Sequence, residues 1–139
     1  LVPEIDMPEK IVDGVAYIGL LEIPDLGLAL PIASTWSYSL LKNTPCRYTG
    51  SVYTNDLVIA AHNYTSHFGN LSNLSIDSEI IFTDVDGNVF RYLVTEFETL
   101  APTAVEEMTS DTQGITLFTC TVGGSNRITV RAERIGDYT

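Results

Sequence analysis

The sequence predicts an all-β domain, a closed barrel or a sandwich of seven or eight short strands with one or two short helices. Three observations predict it. Apolar runs of strand length recur along the chain, bounded by Gly, Pro, Asn and Asp turn signals. β-branched and aromatic residues are common in those runs. Only residues 34–41 and 104–108 admit a helical turn or two. The chain has 139 residues, the size of one domain and too short for two ordinary ones. With 45% hydrophobic residues it can bury one sizeable core.

The elements follow in order. Residues 1–14, with Pro3 and Pro8, are expected to form a leader over a single domain that spans 15–139. Val15-Ala16-Tyr17-Ile18-Gly19-Leu20-Leu21-Glu22-Ile23 is a strand stopped by Pro24, and Leu28-Ala29-Leu30-Pro31-Ile32 follows Gly27. Ser34 is a candidate cap for the helical turn at 34–41, which Asn43-Thr44-Pro45 ends. Leu57-Val58-Ile59-Ala60-Ala61 is an unbroken apolar strand running into His62. Runs 79–83 and 89–99 flank Asp84-Val85-Asp86-Gly87-Asn88, a hairpin signal. Runs 115–121 and 127–135 flank Val122-Gly123-Gly124-Ser125-Asn126.

Charge narrows the function classes. Asp and Glu number 18 against 7 Lys and Arg, a net charge of -11. Such a surface repels phosphate backbones and anionic headgroups, which disfavours nucleic-acid binding and electrostatic membrane docking. No apolar run approaches the roughly 18 residues that a membrane span needs. The chain opens at Leu1 rather than Met. It is read as a processed or truncated piece, with any membrane anchor expected in a segment outside it.

Three residues carry candidate chemistry. Cys120 ends the run Thr116-Leu117-Phe118-Thr119 and precedes a Gly-Gly loop, an accessible position whose backbone amides can point at an oxyanion. His62 closes an apolar strand, and imidazole is the usual proton partner of a catalytic thiol. Arg127 brings a fixed positive charge that favours a thiolate or a developing oxyanion. Each residue alone has a plainer reading: a small buried hydrophobe, an exposed histidine and a surface arginine. His67, in a polar loop, is the weaker histidine. Cys46 has no histidine motif beside it and reads as structural.

Together these residues resemble the sortase family of Gram-positive bacteria. The resemblance rests on Thr116-Leu117-Phe118-Thr119-Cys120, Arg127 seven residues later, and Ala60-Ala61-His62-Asn63 upstream. Tyr17-Ile18-Gly19-Leu20-Leu21-Glu22-Ile23-Pro24 resembles the family's opening strand, and Arg127-Ile128-Thr129-Val130 its last one, so the likeness covers about 15–135. Ala61 stands where many members have Gly, which keeps a small residue. The resemblance implies a closed eight-stranded barrel and a cysteine transpeptidase. Cys120 would be the nucleophile, His62 the proton shuttle and Arg127 the oxyanion or substrate-carbonyl holder, with the Thr119 hydroxyl or a backbone N–H assisting. It implies cleavage of a C-terminal LPxTG-like sorting signal through a thioacyl enzyme. Its partners are then sorting-signal-bearing surface proteins or pilins, and a peptidoglycan-precursor or lysine amine as acceptor, at the extracellular face of the cell membrane.

Chain order separates this reading from other Cys/His enzymes. Papain-like enzymes place Cys first, whereas His62 precedes Cys120 here. A disulfide between Cys46 and Cys120 would block the nucleophile and is expected to be absent. No cofactor is expected. Calcium is the minority reading, through Glu106, Glu107 and Asp111 on one loop and Asp56 on another, too few ligands for a hard cation. The short 99–115 stretch disfavours a class B sortase, and Asp6-Met7-Pro8 is not the Asp-Pro-aromatic lid of many class C members, which leaves an A-, D- or E-like enzyme. A cysteine hydrolase on the same barrel and a non-enzymatic β-barrel binding module remain the competing functions.

Overall fold

The computed structural model describes residues 7–35, 37, 40, 44–61, 73–100, 114–119 and 127–135, with only the backbone of Thr99, Leu100 and Arg127. Among the described residues there are nine strands: β1 (Lys10–Val12), β2 (Val15–Ile23), β3 (Leu28–Ala33), β4 (Cys46–Thr49), β5 (Asp56–Ala61), β6 (Glu79–Asp84), β7 (Val89–Leu100), β8 (Gly114–Thr119) and β9 (Arg127–Arg134). A 3-10 turn, Pro24–Leu26, links β2 to β3. The sheet runs β1-β2-β3-β4-β5-β8-β9-β7-β6, and β6 pairs back onto β2. Strands β2 to β9 therefore form a closed eight-stranded barrel.

The seam of that closure lies on β2. Lys10–Val12 of β1 pair with residues 15–17, and β6 takes the same edge further on, from Gly19↔Asp84 to Glu22↔Ile81. The register of β2 against β3 shifts between Tyr17 and Gly19. A side chain at Gly19 would put its Cβ 2.2 Å from the Thr83 carbonyl oxygen, so the seam can close only on a glycine.

β1 departs from the expected leader. Asp13 and Gly14 both take positive φ, 51° and 81°, the geometry of a tight hairpin turn, and fold residues 10–12 back onto β2. The expected hairpin at 84–88 forms as well. Asp84 Oδ1 accepts the N–H groups of Asp86 and Asn88 at 3.0 and 2.9 Å, and Gly87 donates to the Asp84 carbonyl at 3.0 Å. Most of the helical turn expected at 34–41 lies outside the described residues; within it, Ser37 Oγ accepts the Leu40 N–H at 3.1 Å. Ser34 instead donates to the Glu9 carboxylate and accepts from Arg47 at 3.2 Å, tying the N-terminal segment to β4.

Two cores sit on opposite faces of β5 and β8. Leu57, Ile59 and Ala61 of β5, with Ile115 and Leu117 of β8, point into the barrel among Ile18, Leu21, Phe82, Phe90, Tyr92 and Val130. Val58, Ala60 and Phe118 point outward and pack with Ala33, Cys46, Val15, Leu40 and Tyr48. Burial on both faces explains why 57–61 is an unbroken apolar run rather than an alternating one. Met7 is buried in the main core and anchors the start of the described chain.

Candidate active site

The strands that lead to the candidate residues of the sequence meet at one end of the β5–β8–β9 ladder. β5 and β8 are parallel neighbours, paired without interruption from Asp56↔Gly114 to Ala61↔Thr119. Every β5 residue thus faces the β8 residue fifty-eight positions on, and His62 and Cys120 stand the same distance apart in the chain. Both of these residues, like His67, lie outside the described residues. β9 runs antiparallel to β8, with Leu117↔Val130 and Phe118↔Thr129 in register, and its first residue, Arg127, pairs with Leu100 of β7. The Arg127 side chain is outside the described part.

Thr119 is buried, and its Oγ1 accepts the Ile128 N–H at 3.0 Å. The hydroxyl thereby ties the last described residue of β8 to the second residue of β9. That contact fixes the separation of the two strands one residue before Cys120 and one after Arg127.

Beneath this end lies the outward-facing core. The rings of Tyr48 and Phe118 meet edge to face, 5.3 Å between centroids at 85°. Cys46 is a free, fully buried thiol that donates to the Thr44 carbonyl at 3.5 Å. Burial pushes its pKa up to about 11, against a smaller lowering from the Ser37 backbone. A thiol held neutral in this way is inert as a nucleophile, so Cys46 is a packing residue.

The arginines of β9 divide by strand alternation. Arg134 donates to the Val52 carbonyl at 2.9 Å and lies 5.5 Å over the Phe90 ring. Arg131, on the other face, pairs through Nε with Glu98 at 2.5 Å and donates to Thr116 Oγ1 at 3.4 Å. This pair joins residues of β9 and β7 thirty-three positions apart in the chain, which is why no local pattern revealed it.

Asp56, the candidate calcium ligand that is described, accepts the Ser51 N–H at 3.0 Å and the Thr54 hydroxyl, closing the turn between β4 and β5. Glu106, Glu107 and Asp111 lie outside the described residues. Among the described residues no three His, Cys, Asp or Glu side chains gather to hold a metal, and no helix is long and apolar enough to cross a membrane.

A closed eight-stranded barrel with β5 and β8 as parallel neighbours defines the class of fold. The chain belongs to the sortase family: the family model of the sortase domain matches residues 21–135. It is similar to the sortase C of Streptococcus pneumoniae, at 25% identity and a TM-score of 0.77, over 94% of this chain and 73% of that one. It is also similar to sortase C1 of group B Streptococcus pilus island 1, at 25% identity and a TM-score of 0.74, over 87% of this chain. Sortase A of Corynebacterium diphtheriae gives 25% identity and a TM-score of 0.73 over 88% of this chain. The chain spans 65% and 62% of the length of these last two. No curated protein matches the chain in sequence.

Proposed function

We propose that this chain is the catalytic barrel of a cysteine transpeptidase in which Cys120, His62 and Arg127 form one reacting site. The observation that carries it is the register. A pairing continued by one residue past Ala61↔Thr119 would set Cys120 beside His62, and one continued past Phe118↔Thr129 would set it beside Arg127, which supports the reading. Alternation continued in the same way would give all three the outward face of Ala60 and Phe118.

The reaction follows from those roles. The Cys120 sulfur attacks the scissile carbonyl carbon of an LPxTG-like sorting signal, and the C–S bond forms as the tetrahedral oxyanion develops. Arg127 holds that charge, with Thr119 or a backbone N–H assisting. The C–N bond breaks as His62 gives a proton to the leaving amine, which leaves a thioester on Cys120. An acceptor amine, from a peptidoglycan precursor or a pilin lysine, then attacks the thioester and releases the thiol. The substrates are surface proteins or pilins outside the cell membrane. The A-, D- or E-like reading rests on the leader, where Asp6-Met7-Pro8 is not the Asp-Pro-aromatic motif of a class C lid.

The test is mass spectrometry of the protein mixed with a panel of sorting-signal pentapeptides, with and without triglycine or a diamino acid. A thioacyl adduct on Cys120 that passes to the amine is expected. Cys120→Ala should form none while melting as the parent does. A Cys120→Ala protein that still turns over substrate would remove the nucleophile assigned here.

A further inference from the structure

We propose that the Asp13-Gly14 turn is a site of backbone self-modification: Asp13 converts to isoaspartate, and the added main-chain carbon releases β1 from the barrel. The inference is independent of the transpeptidase reading.

The chemistry needs an aspartate followed by a residue with no side chain, whose amide nitrogen can reach the carboxyl carbon. The Gly14 nitrogen attacks Asp13 Cγ, a C–N bond forms, and the protonated carboxyl loses one oxygen as water. The resulting succinimide ring takes up water at its α-carbonyl carbon, and the bond from that carbon to the Gly14 nitrogen breaks. The main chain then runs through the former side chain, one carbon longer and unchanged in composition. Water is the only co-reactant.

The chain holds two such pairs, Asp13-Gly14 and Asp86-Gly87, both exposed on hairpin turns, and the structure separates them. At the second, the Gly87 N–H donates to the Asp84 carbonyl at 3.0 Å, so the attacking nitrogen is engaged. The Asp86 and Asn88 N–H groups both bind Asp84 Oδ1, at 3.0 and 2.9 Å, and the strands on either side are part of the closed barrel. At the first, no hydrogen bond from the Gly14 N–H is present among the described residues. A Cβ at Gly14 would meet no atom within 4 Å, so the residue stands in open space.

The flank of this turn also gives way easily. β1 has three residues, all exposed, with Ile11 at 66% and Val12 at 44%. Parting it from β2 uncovers little apolar surface, so the hairpin opens at low cost while the barrel stays closed. Opening frees Asp13 from its left-handed conformation, φ 51°, and lets its carboxyl swing onto the Gly14 nitrogen.

The product cannot close again in the same way. A two-residue turn with positive φ at both positions sets the register from Lys10↔Tyr17 to Val12↔Val15, and an extra main-chain carbon does not fit it. β1 is released, and the edge of β2 at residues 15–17, which β6 does not reach, loses its partner. Lys10 and Val12 also wall a groove across the seam with Leu20, Pro31 and Val85, so the modification dismantles that groove.

The test ages the purified protein for weeks at body temperature in mildly acidic buffer. Digested peptides are then read by electron-transfer fragmentation, which tells isoaspartate from aspartate. Isoaspartate should accumulate at Asp13 about 10-fold or more faster than at Asp86, because each further hydrogen bond that must break slows opening. In hydrogen-exchange mass spectrometry the modified protein should lose protection at residues 15–17, while β5 and β8 keep theirs. Asp13→Glu, whose ring would be six-membered and slow to close, should exchange alike before and after ageing. Equal rates at the two aspartates, no isoaspartate at Asp13, or modified protein still protected at 15–17 overturns the proposal.

Discussion

Ala61 and Thr119 are the last described register pair of the parallel β5–β8 ladder, and each passes the chain directly to a residue singled out for chemistry, His62 and Cys120. The two strands are buried on both faces, so their register is fixed by the apolar surfaces on either side. A one-residue slip would move Val58, Ala60 and Phe118 into the barrel and Leu57, Ile59 and Leu117 out of it. Packing thus sets the geometry at the end of the ladder.

Thr119 is the first place to test that link. Its hydroxyl accepts the partly buried Ile128 N–H, so Thr119→Val should remove that bond and cost about 0.5–1.5 kcal/mol. Thr119→Ser keeps the acceptor and should stay near the parent in both melting temperature and turnover. If Thr119→Val melts like the parent, the tie contributes nothing.

Gly19 tests the seam. Gly19→Ala sets a Cβ against the Thr83 carbonyl, which belongs to backbone and cannot swing aside. The β2–β6 pairing must open, and a loss of about 1–3 kcal/mol or more is expected in urea denaturation. Gly14→Ala differs in kind, because a Cβ there meets no atom within 4 Å and only the positive φ resists it. That variant should lose about 1 kcal/mol. Equal losses at both glycines would contradict the distinction between contact and conformation.

Cys46 sets an alkaline limit to stability. Burial raises its thiol from 9.0 to about 11, so above pH 9 the unfolded chain binds fewer protons there than the folded one. Its contribution is complete below pH 9 and is lost as pH rises toward 11. Tyr92, pushed up to about 12 by burial, acts in the same direction at higher pH. The stability difference between the parent and Cys46→Ala should therefore shrink between pH 9 and 11 in denaturant midpoints. A difference that stays constant across that range contradicts the assignment. At neutral pH, iodoacetamide should label Cys46 only as the protein unfolds.

Much of this architecture was legible in local pattern. β2 reads directly from 15–23, β5 from its apolar run, and the β6–β7 hairpin from Asp84 to Asn88, because those signals lie within a few residues. β4 was not, since Cys46-Arg47-Tyr48-Thr49 is short and owes its strand to pairing with β5. β1 is short and exposed, yet Asp13-Gly14 between two β-rich triplets was the signal that could have found it. The proposed site residues were legible as a motif, but the face proposed for them rests on the β5–β8 and β8–β9 registers, which join distant segments. The engagement of Arg131 by Glu98 left no local trace.

The two histidines should separate cleanly in kinetics. His62 directly follows β5, whose direction is fixed by burial, whereas His67 is five residues further along a polar stretch. His62→Ala should lose about 10²–10⁴-fold in turnover, the usual share of general acid–base catalysis. His67→Ala should remain near the parent. Losses in the reverse order would move the proton shuttle to His67.

Arg127 is the sharpest case, because its strand offers a control. Alternation puts Arg127 and Arg131 on the same face, about 13 Å apart at ~3.3 Å per residue, so sequence pattern alone leaves them equal candidates for the groove. Arg131 is engaged by Glu98 and Thr116, and the proposed role falls to Arg127, which opens β9 at the end of the ladder that leads to Cys120 in the sequence. A forked guanidinium over the scissile carbonyl is not replaced by the point charge of an ammonium. Arg127→Lys should therefore lower turnover by about 10²–10³-fold, the typical loss of an oxyanion donor, with thermal stability little changed. Arg131→Lys retains a cation beside Glu98 and should lose only a few-fold, because a half-shielded ion pair tolerates the exchange better than a fork aimed at a transition state. Turnover of a sorting-signal peptide and thermal melting, measured on both variants, decide it. If Arg127→Lys turns over normally, or fails only because the barrel unfolds, Arg127 is a structural arginine and the oxyanion must be held elsewhere.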